Sequence, residues 1–170
     1  MRTFMNLTPD ERAGSAYTLS YEAYYAQGVR GVLFDIDNTL VRHGEPATWQ
    51  TVKLFERLRG IGLVPFVLSN NEINRVRSFA ETVGADYLHK AGKPGKRGYL
   101  EACRKMGIEP AQALAVGDQI YTDIWGAKRS GIRAVLVDPI DPSKEEIQIR
   151  FKRLLERPVL AAKVAKKEGI

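Results

Sequence analysis

Two aspartates, Asp35 and Asp37, stand two residues apart where the apolar run Gly31-Val32-Leu33-Phe34 ends. In a strand, residues i and i+2 share a face at a spacing of roughly 6.5–7 Å, so both carboxylates point the same way. Two ionised carboxylates placed so close repel each other, and something cationic, or a shared proton, has to lie between them. Similar chemistry recurs along the chain in Ser69-Asn70-Asn71, in Lys90 and Lys93, and in Gly117-Asp118 with Asp123 five residues on. Gathered at one point, three or four carboxylates form a hard-oxygen site suited to Mg²⁺ rather than zinc. A divalent cation offsets their repulsion and keeps Asp35 ionised, while a second carboxylate nearby can hold or give up a proton. Carboxylates also act as nucleophiles in phosphoryl transfer, through an aspartyl-phosphate. Such a transfer needs a metal, a lysine and hydroxyl or amide donors around the phosphoryl oxygens, roles that Asp118, Lys93 and Ser69 can fill.

These residues meet only if the chain returns repeatedly to one edge, and its pattern does so. Strands are expected over 29–35, 63–69, 85–90, 111–118 and 132–138, separated by helical patterns over 48–62, 70–84, 93–107 and 120–131. In the first helix Val52, Leu54, Phe55, Leu58 and Ile61 recur at helical spacing before a terminal Gly62. Pro65 weighs against its strand. Repeated β-α units imply an α/β fold, a Rossmann-like parallel sheet with helices on both faces, which binds ligands at the carboxyl ends of its strands. Taken singly, D-x-D, S-N-N and G-D-x4-D also occur as turn and cap chemistry. Their joint occurrence, in order and each at a strand end, points to a site.

The composition fits one soluble domain over residues 1–170, with a core at 28–138 and a basic C-terminal helical region at 143–170. It is 44% hydrophobic and 27% charged. A single cysteine, Cys103, excludes an internal disulfide framework and any multi-cysteine metal cluster. No signal-like or membrane-spanning apolar stretch is present, so a cytoplasmic setting is expected. The net charge is +6, and residues 143–170 hold eight Lys/Arg against four Glu. That surplus suits an anionic partner, or else a solvated helix. As helices broken at Pro158, the region would set an apolar stripe beside a cationic one, the pattern of a peripheral helix on an anionic bilayer; packing on the core is the competing expectation.

The elements "DIDNTL", "LSN", "KP" and "GDQIYTD" together resemble the four motifs of the haloacid dehalogenase (HAD) superfamily of aspartate-dependent phosphohydrolases. Length, the "PD" opening and "SNN" are similar to the YqeG-type branch of HAD subfamily IIIA, which is related to mitochondrial phosphatidylglycerophosphate phosphatases. The resemblance implies that Asp35 is the nucleophile. Asp37 is the implied general acid/base, its backbone carbonyl also meeting Mg²⁺. Ser69 and the amide of Asn70 would hold the phosphoryl group and Lys93 neutralise it; Asp118 would ligate the metal, with direct or indirect support from Asp123. Lys93 is preferred to Lys90 because the family's lysine usually precedes a proline. The substrate implied first is phosphatidylglycerophosphate, an anionic phospholipid, and next a soluble sugar or nucleotide monophosphate. A phospho-aspartate receiver domain shares several of these residue types but lacks an acid/base two residues beyond its phosphorylated aspartate. No nucleic-acid partner is expected, since no aromatic-basic reading motif is visible.

Family members carry cap modules between the first and second motifs or between the second and third. The gaps from Asp37 to Ser69 and from Ser69 to Lys93 are too short for one, so a capless, open site is expected, reaching a large or surface-bound substrate or closed by a second subunit in a homo-oligomer. Tyr17, Tyr21, Tyr24 and Tyr25, near helical spacing, read as a core-packing or oligomer face ahead of a substrate rim. Trp49 and Trp125 read as core or helix-packing residues, Cys103 as core, and His43, in the expected flap, as a solvated loop residue ahead of a substrate contact. Arg42, Arg75, Lys96 and Arg97 either rim the mouth or stand exposed.

Overall fold

The computed structural model describes residues 6–141 and residue 143. Six parallel strands form one sheet in the order β1-β6-β5-β2-β3-β4. They are β1 (Glu11–Ala13), β2 (Gly31–Phe34), β3 (Val64–Leu68), β4 (Asp86–Leu88), β5 (Ala113–Gly117) and β6 (Arg133–Val137). The helices are α1 (Tyr21–Ala26), α2 (Trp49–Ile61), α3 (Ile73–Val83), α4 (Lys96–Met106) and α5 (Trp125–Arg129), the last entered through a π-helical turn over Ile120–Ile124.

Side-chain alternation along the strands builds two cores. Val32 and Phe34 of β2 pack with Leu54, Phe55 and Leu58 of α2 and with Val76, Phe79, Ala80 and Val83 of α3. Leu33, between them, packs on the opposite face with Tyr99, Ala102 and Cys103 of α4 and Ala127 of α5. Burial on both faces is why β2 reads as an unbroken apolar run. The helices supply matching stripes; in α3 the buried positions recur at i, i+3, i+4 and i+7. Thr48 caps α2, its side chain accepting from the Thr51 N–H, and Gly62 ends it at φ 102°. Pro65 is tolerated because β4 pairs with β3 only from Phe66 onward, leaving Pro65 beside β2 alone.

Two elements were not foreseen. The edge strand β1 is three residues long without an alternating pattern, and it is fastened by its neighbour Asp10. The Asp10 N–H donates to the Ala134 carbonyl (2.8 Å), its carboxylate accepts from the Ala134 N–H (2.8 Å), and Lys128 pairs with it at 2.6 Å. The short helix α1 buries Tyr21 and Tyr24, so the tyrosine cluster does pack on the core. Cys103 is buried as expected, but Trp49 is not: it is 74% exposed, the first residue of α2 and off that helix's apolar stripe. Trp125 is partly buried beneath the Arg129 guanidinium.

Only a flap and α2 separate Asp37 from Ser69, and only α3 and β4 separate Ser69 from Lys93, so the fold is capless. Of the expected helical region at 143–170, only Ser143 lies within the described residues. Among the described residues no helix is long and apolar enough to cross a membrane.

Candidate active site

Sheet order reverses at β2, which has β3 on one side and β5 on the other, and the crevice beyond these strands collects polar side chains. Asp35 follows β2 directly. The chain then turns sharply through Asn38, which adopts φ 61°. Its carbonyl and side-chain oxygens accept from the N–H groups of Ile140 and Asp141, tying the loop after β6 to the loop that follows Asp35. Thr39, from the same turn, donates its hydroxyl to Asp118 Oδ1 at 2.9 Å, linking the ends of β2 and β5.

Lys93 reaches into this crevice with its side chain 4% exposed, its Nζ lying 2.9 Å from Asp35 Oδ1 and 2.6 Å from Asp123 Oδ1. Asp123 is held at its other oxygen by the Gln119 N–H. Its backbone carbonyl, with that of Thr122, accepts from the buried Tyr99 hydroxyl. Asp123 also lies so close over the end of β5 that a Cβ on Gly117 would come within 2.4 Å of its carboxyl carbon, so only glycine leaves it room. Oxygens of Asp35, Asp118 and Asp123 lie within 4.8 Å of one another. Burial, reinforced by Asp123 and Asp118, pushes Asp35 well above the usual carboxylate range against the pull of Lys93. Burial disfavours the Lys93 ammonium, but Asp123 and Asp35 outweigh it and keep the amine protonated. Three carboxylates around one ammonium remain net negative, and this oxygen-only set fits a small divalent cation.

Asp37 is brought to the same pocket but not into that cluster. Its carboxylate accepts from the Gly44 N–H at 2.8 Å, from Arg75 Nη2 at 2.8 Å and from Asn71 Nδ2 at 2.6 Å. Burial opposes its ionised form, but the Gly44, Arg75 and Asn71 donors prevail and hold it below the ordinary range. Any share of Asp37 in cation binding would fall to its backbone carbonyl.

Ser69 and Asn70 leave β3 at the pocket floor. The Ser69 hydroxyl accepts from the Asn71 N–H. The Asn70 side chain and the Lys93 backbone bond reciprocally, the Lys93 N–H donating to Oδ1 (2.8 Å) and Nδ2 to the Lys93 carbonyl (3.0 Å). Asn70 therefore anchors the lysine loop with its side chain. The pocket measures about 170 Å³ and is lined by Asp35, Asp37, Ser69, Asn70 and Lys93, and also by His43, which is half-buried rather than solvated. Lys90 lies outside it, paired with Glu72 on the surface.

Sequence reasoning missed Asn71 and Arg75 as partners of Asp37, and Tyr99, Gly117 and Gln119 as supports of Asp123. No spacing in the sequence marks these partners: Asn71 precedes α3, and Arg75 is a single basic residue on its first turn.

In sequence and fold the chain has counterparts among known proteins. Residues 44–131 match the haloacid dehalogenase-like hydrolase family, and the chain belongs to it, as a phosphomonoester hydrolase. It is 34% identical to the probable phosphatase YqeG of Bacillus subtilis over 155 residues, covering 91% of this chain and 90% of that one. It is 29% identical over 154 residues to phosphatidylglycerophosphate phosphatase 1, chloroplastic/mitochondrial, of Arabidopsis thaliana, covering 84% of this chain and 44% of that protein. The cobalt-bound deoxy-D-mannose-octulosonate 8-phosphate phosphatase of Haemophilus influenzae shares the fold, with a TM-score of 0.50 at 13% identity, covering 66% of this chain and 80% of that one.

Proposed function

We propose that this protein is a Mg²⁺-dependent phosphatase that removes the terminal phosphate of phosphatidylglycerophosphate. The observation carrying the substrate is the likeness to the Arabidopsis phosphatidylglycerophosphate phosphatase over 84% of this chain. The small open pocket agrees with it, since about 170 Å³ holds a phosphoryl group and leaves the alcohol outside, where a lipid headgroup can be presented from a surface. The basic segment 143–170, of which only Ser143 is among the described residues, would add attraction to anionic lipid of about 1 kcal/mol per cation close to the surface.

In the proposed chemistry Asp35 attacks phosphorus, and the bond from phosphorus to the alcohol oxygen breaks. The departing oxygen takes a proton that Asp37 has drawn from solvent on substrate binding, which leaves Asp37 ionised for the second step. Water then attacks the aspartyl-phosphate, Asp37 accepts its proton, inorganic phosphate leaves and Asp35 is restored. Lys93 neutralises phosphoryl charge, while Ser69 and the Asn70 backbone amide bind its oxygens. Mg²⁺ held by Asp35, Asp118 and Asp123 would supply the positive charge that lets an anionic nucleophile approach an anionic ester.

The test is phosphate release from phosphatidylglycerophosphate in mixed micelles, set against glycerol 3-phosphate, glucose 6-phosphate and a nucleoside monophosphate, with and without EDTA. The lipid should be preferred by at least about tenfold in kcat/KM, which corresponds to ~1.4 kcal/mol. Chelator should silence the enzyme until Mg²⁺ is restored. Preference for a soluble ester would move the substrate to a sugar or nucleotide monophosphate, and activity in chelator would overturn the metal assignment.

A further inference from the structure

The pocket divides its charges into two groups. Lys93 serves Asp35 and Asp123, whereas Asp37, two residues from Asp35, is served by Arg75 of α3. Arg75 is not one of the residues lining the pocket. It stands behind the wall with its side chain 22% exposed, its guanidinium 5.7 Å from the centre of the Phe79 ring one turn along the helix. Nη2 is committed to Asp37, while Nε is buried with no hydrogen-bond partner. Leaving a buried donor unpaired costs about 1–3 kcal/mol, so satisfying its own donors is not what places this guanidinium; the Asp37 contact fits its position. With Asn71 on Oδ2 and the flap's Gly44 N–H beside Arg75 on Oδ1, the Asp37 carboxylate has donors on both oxygens and one fixed plane.

We infer that Arg75 is a positioning residue. It orients Asp37 toward the scissile bond and keeps that carboxylate away from the cluster of Asp35, Asp118 and Asp123. The assignment rests on the proton-transfer role proposed for Asp37. Arg75 needs no contact with substrate, and its contribution runs through one side chain. It differs in this from a basic residue at the rim, which would bind substrate directly, and from a plain staple between α3 and the β2 loop, which would support the whole pocket equally.

A double-mutant cycle separates these cases. The probe is phenyl phosphate, whose departing phenoxide needs a proton and whose aspartyl-phosphate needs a base. Arg75→Ala should lower kcat by about tenfold or more in the wild type but by less than about threefold in an Asp37→Asn background, with KM moving little in either. Arg75→Lys, which keeps a cation of shorter reach, should recover part of the loss, and thermal melts show that each variant is folded. Should Arg75→Ala fail to fold, Arg75→Lys and Asn71→Ala enter the same cycle and should show the same dependence on Asp37. Losses that multiply independently of Asp37, or a rise in KM at constant kcat, would overturn the assignment while leaving the phosphatase reading standing. A wild type inactive on every ester would remove both.

Discussion

Replacing Gly117 by alanine adds one methyl group, and the structure shows where it goes. The new Cβ would lie 2.4 Å from the Asp123 carboxyl carbon and Oδ2 and 2.5 Å from its Cβ. Asp123 cannot swing aside freely, because Lys93 and the Gln119 N–H hold its two oxygens. Restoring ordinary contact requires a shift of about 1 Å, enough to break the 2.6 Å bond to Lys93 or the 3.1 Å bond from Gln119. Overpacking of this kind costs about 1–3 kcal/mol, or a fall in Tm of roughly 3–10 °C for a domain of this size. Because Asp123 belongs to the oxygen cluster, affinity for Mg²⁺ should drop by about 10–100-fold, as when a support of a metal ligand is lost. Mg²⁺ is titrated against both phosphate release and the ion-induced rise in Tm, so the second readout does not depend on activity. Gly60→Ala is the control: near the end of α2 an added Cβ meets nothing within 4 Å, and the substitution should stabilise by up to about 1 kcal/mol with Mg²⁺ affinity unchanged. A Gly117→Ala protein with the melting temperature and Mg²⁺ response of the wild type would refute the packing argument.

Two further outcomes are expected. Asp35→Asn should reduce turnover to the detection limit while Tm stays close to the wild-type value or rises, since a buried carboxylate repelled by Asp118 and Asp123 has become neutral; ordinary activity in that variant would exclude Asp35 as the nucleophile. Asp10 should give the edge strand an acid sensitivity. Burial opposes its charge, but Lys128 and the Ala134 N–H prevail and its carboxyl lies below the ordinary value of 3.8, so its stabilising contribution is complete above that value and fades as pH falls through the folded one. Asp10→Ala should cost about 1 kcal/mol at neutral pH, given partial solvent screening, and should flatten the Tm profile below about pH 4; an unchanged profile would refute it.

The part of the fold that the sequence made legible follows from burial. Strands covered on both faces must be apolar at nearly every position, and helices over them must repeat at three and four residues, so the four inner strands β6, β5, β2 and β3 and the four helical patterns stand out. The second edge strand, β4, is partly exposed and was legible from its place between two helical patterns. The polar groups at strand ends were legible for a related reason, since charge that interrupts such a run needs a purpose. β1 escaped because backbone pairing and a single aspartate hold it, with no periodic side chains. Trp49 was misread by residue type, although helix phase argued otherwise. Five residues before Leu54, at about 100° per residue, it lies well round the helix from the buried stripe. The pairing of Arg75 with Asp37 spans 38 residues of chain and carries no periodic signal at all.

Sheet order decides between the two phospho-aspartate chemistries that the residues alone left open. Counting from β2, the strand that ends at Asp35, the order is 3-2-1-4-5, with β1 added beyond the fifth strand. Receiver domains follow the other doubly wound order, 2-1-3-4-5, in which the first and third strands flank the switch point. Here β2 and β5 flank it, so Asp35 and Asp118 arrive from neighbouring strands and Asp123 folds back over the end of β5. A receiver must keep its phosphoryl group long enough to signal, and gains nothing from a base beside it. This pocket holds Asp37 ionised by three donors, two residues from Asp35. A carboxylate so placed favours attack by water on the acyl phosphate, and turnover rather than storage is the outcome that such a geometry promotes.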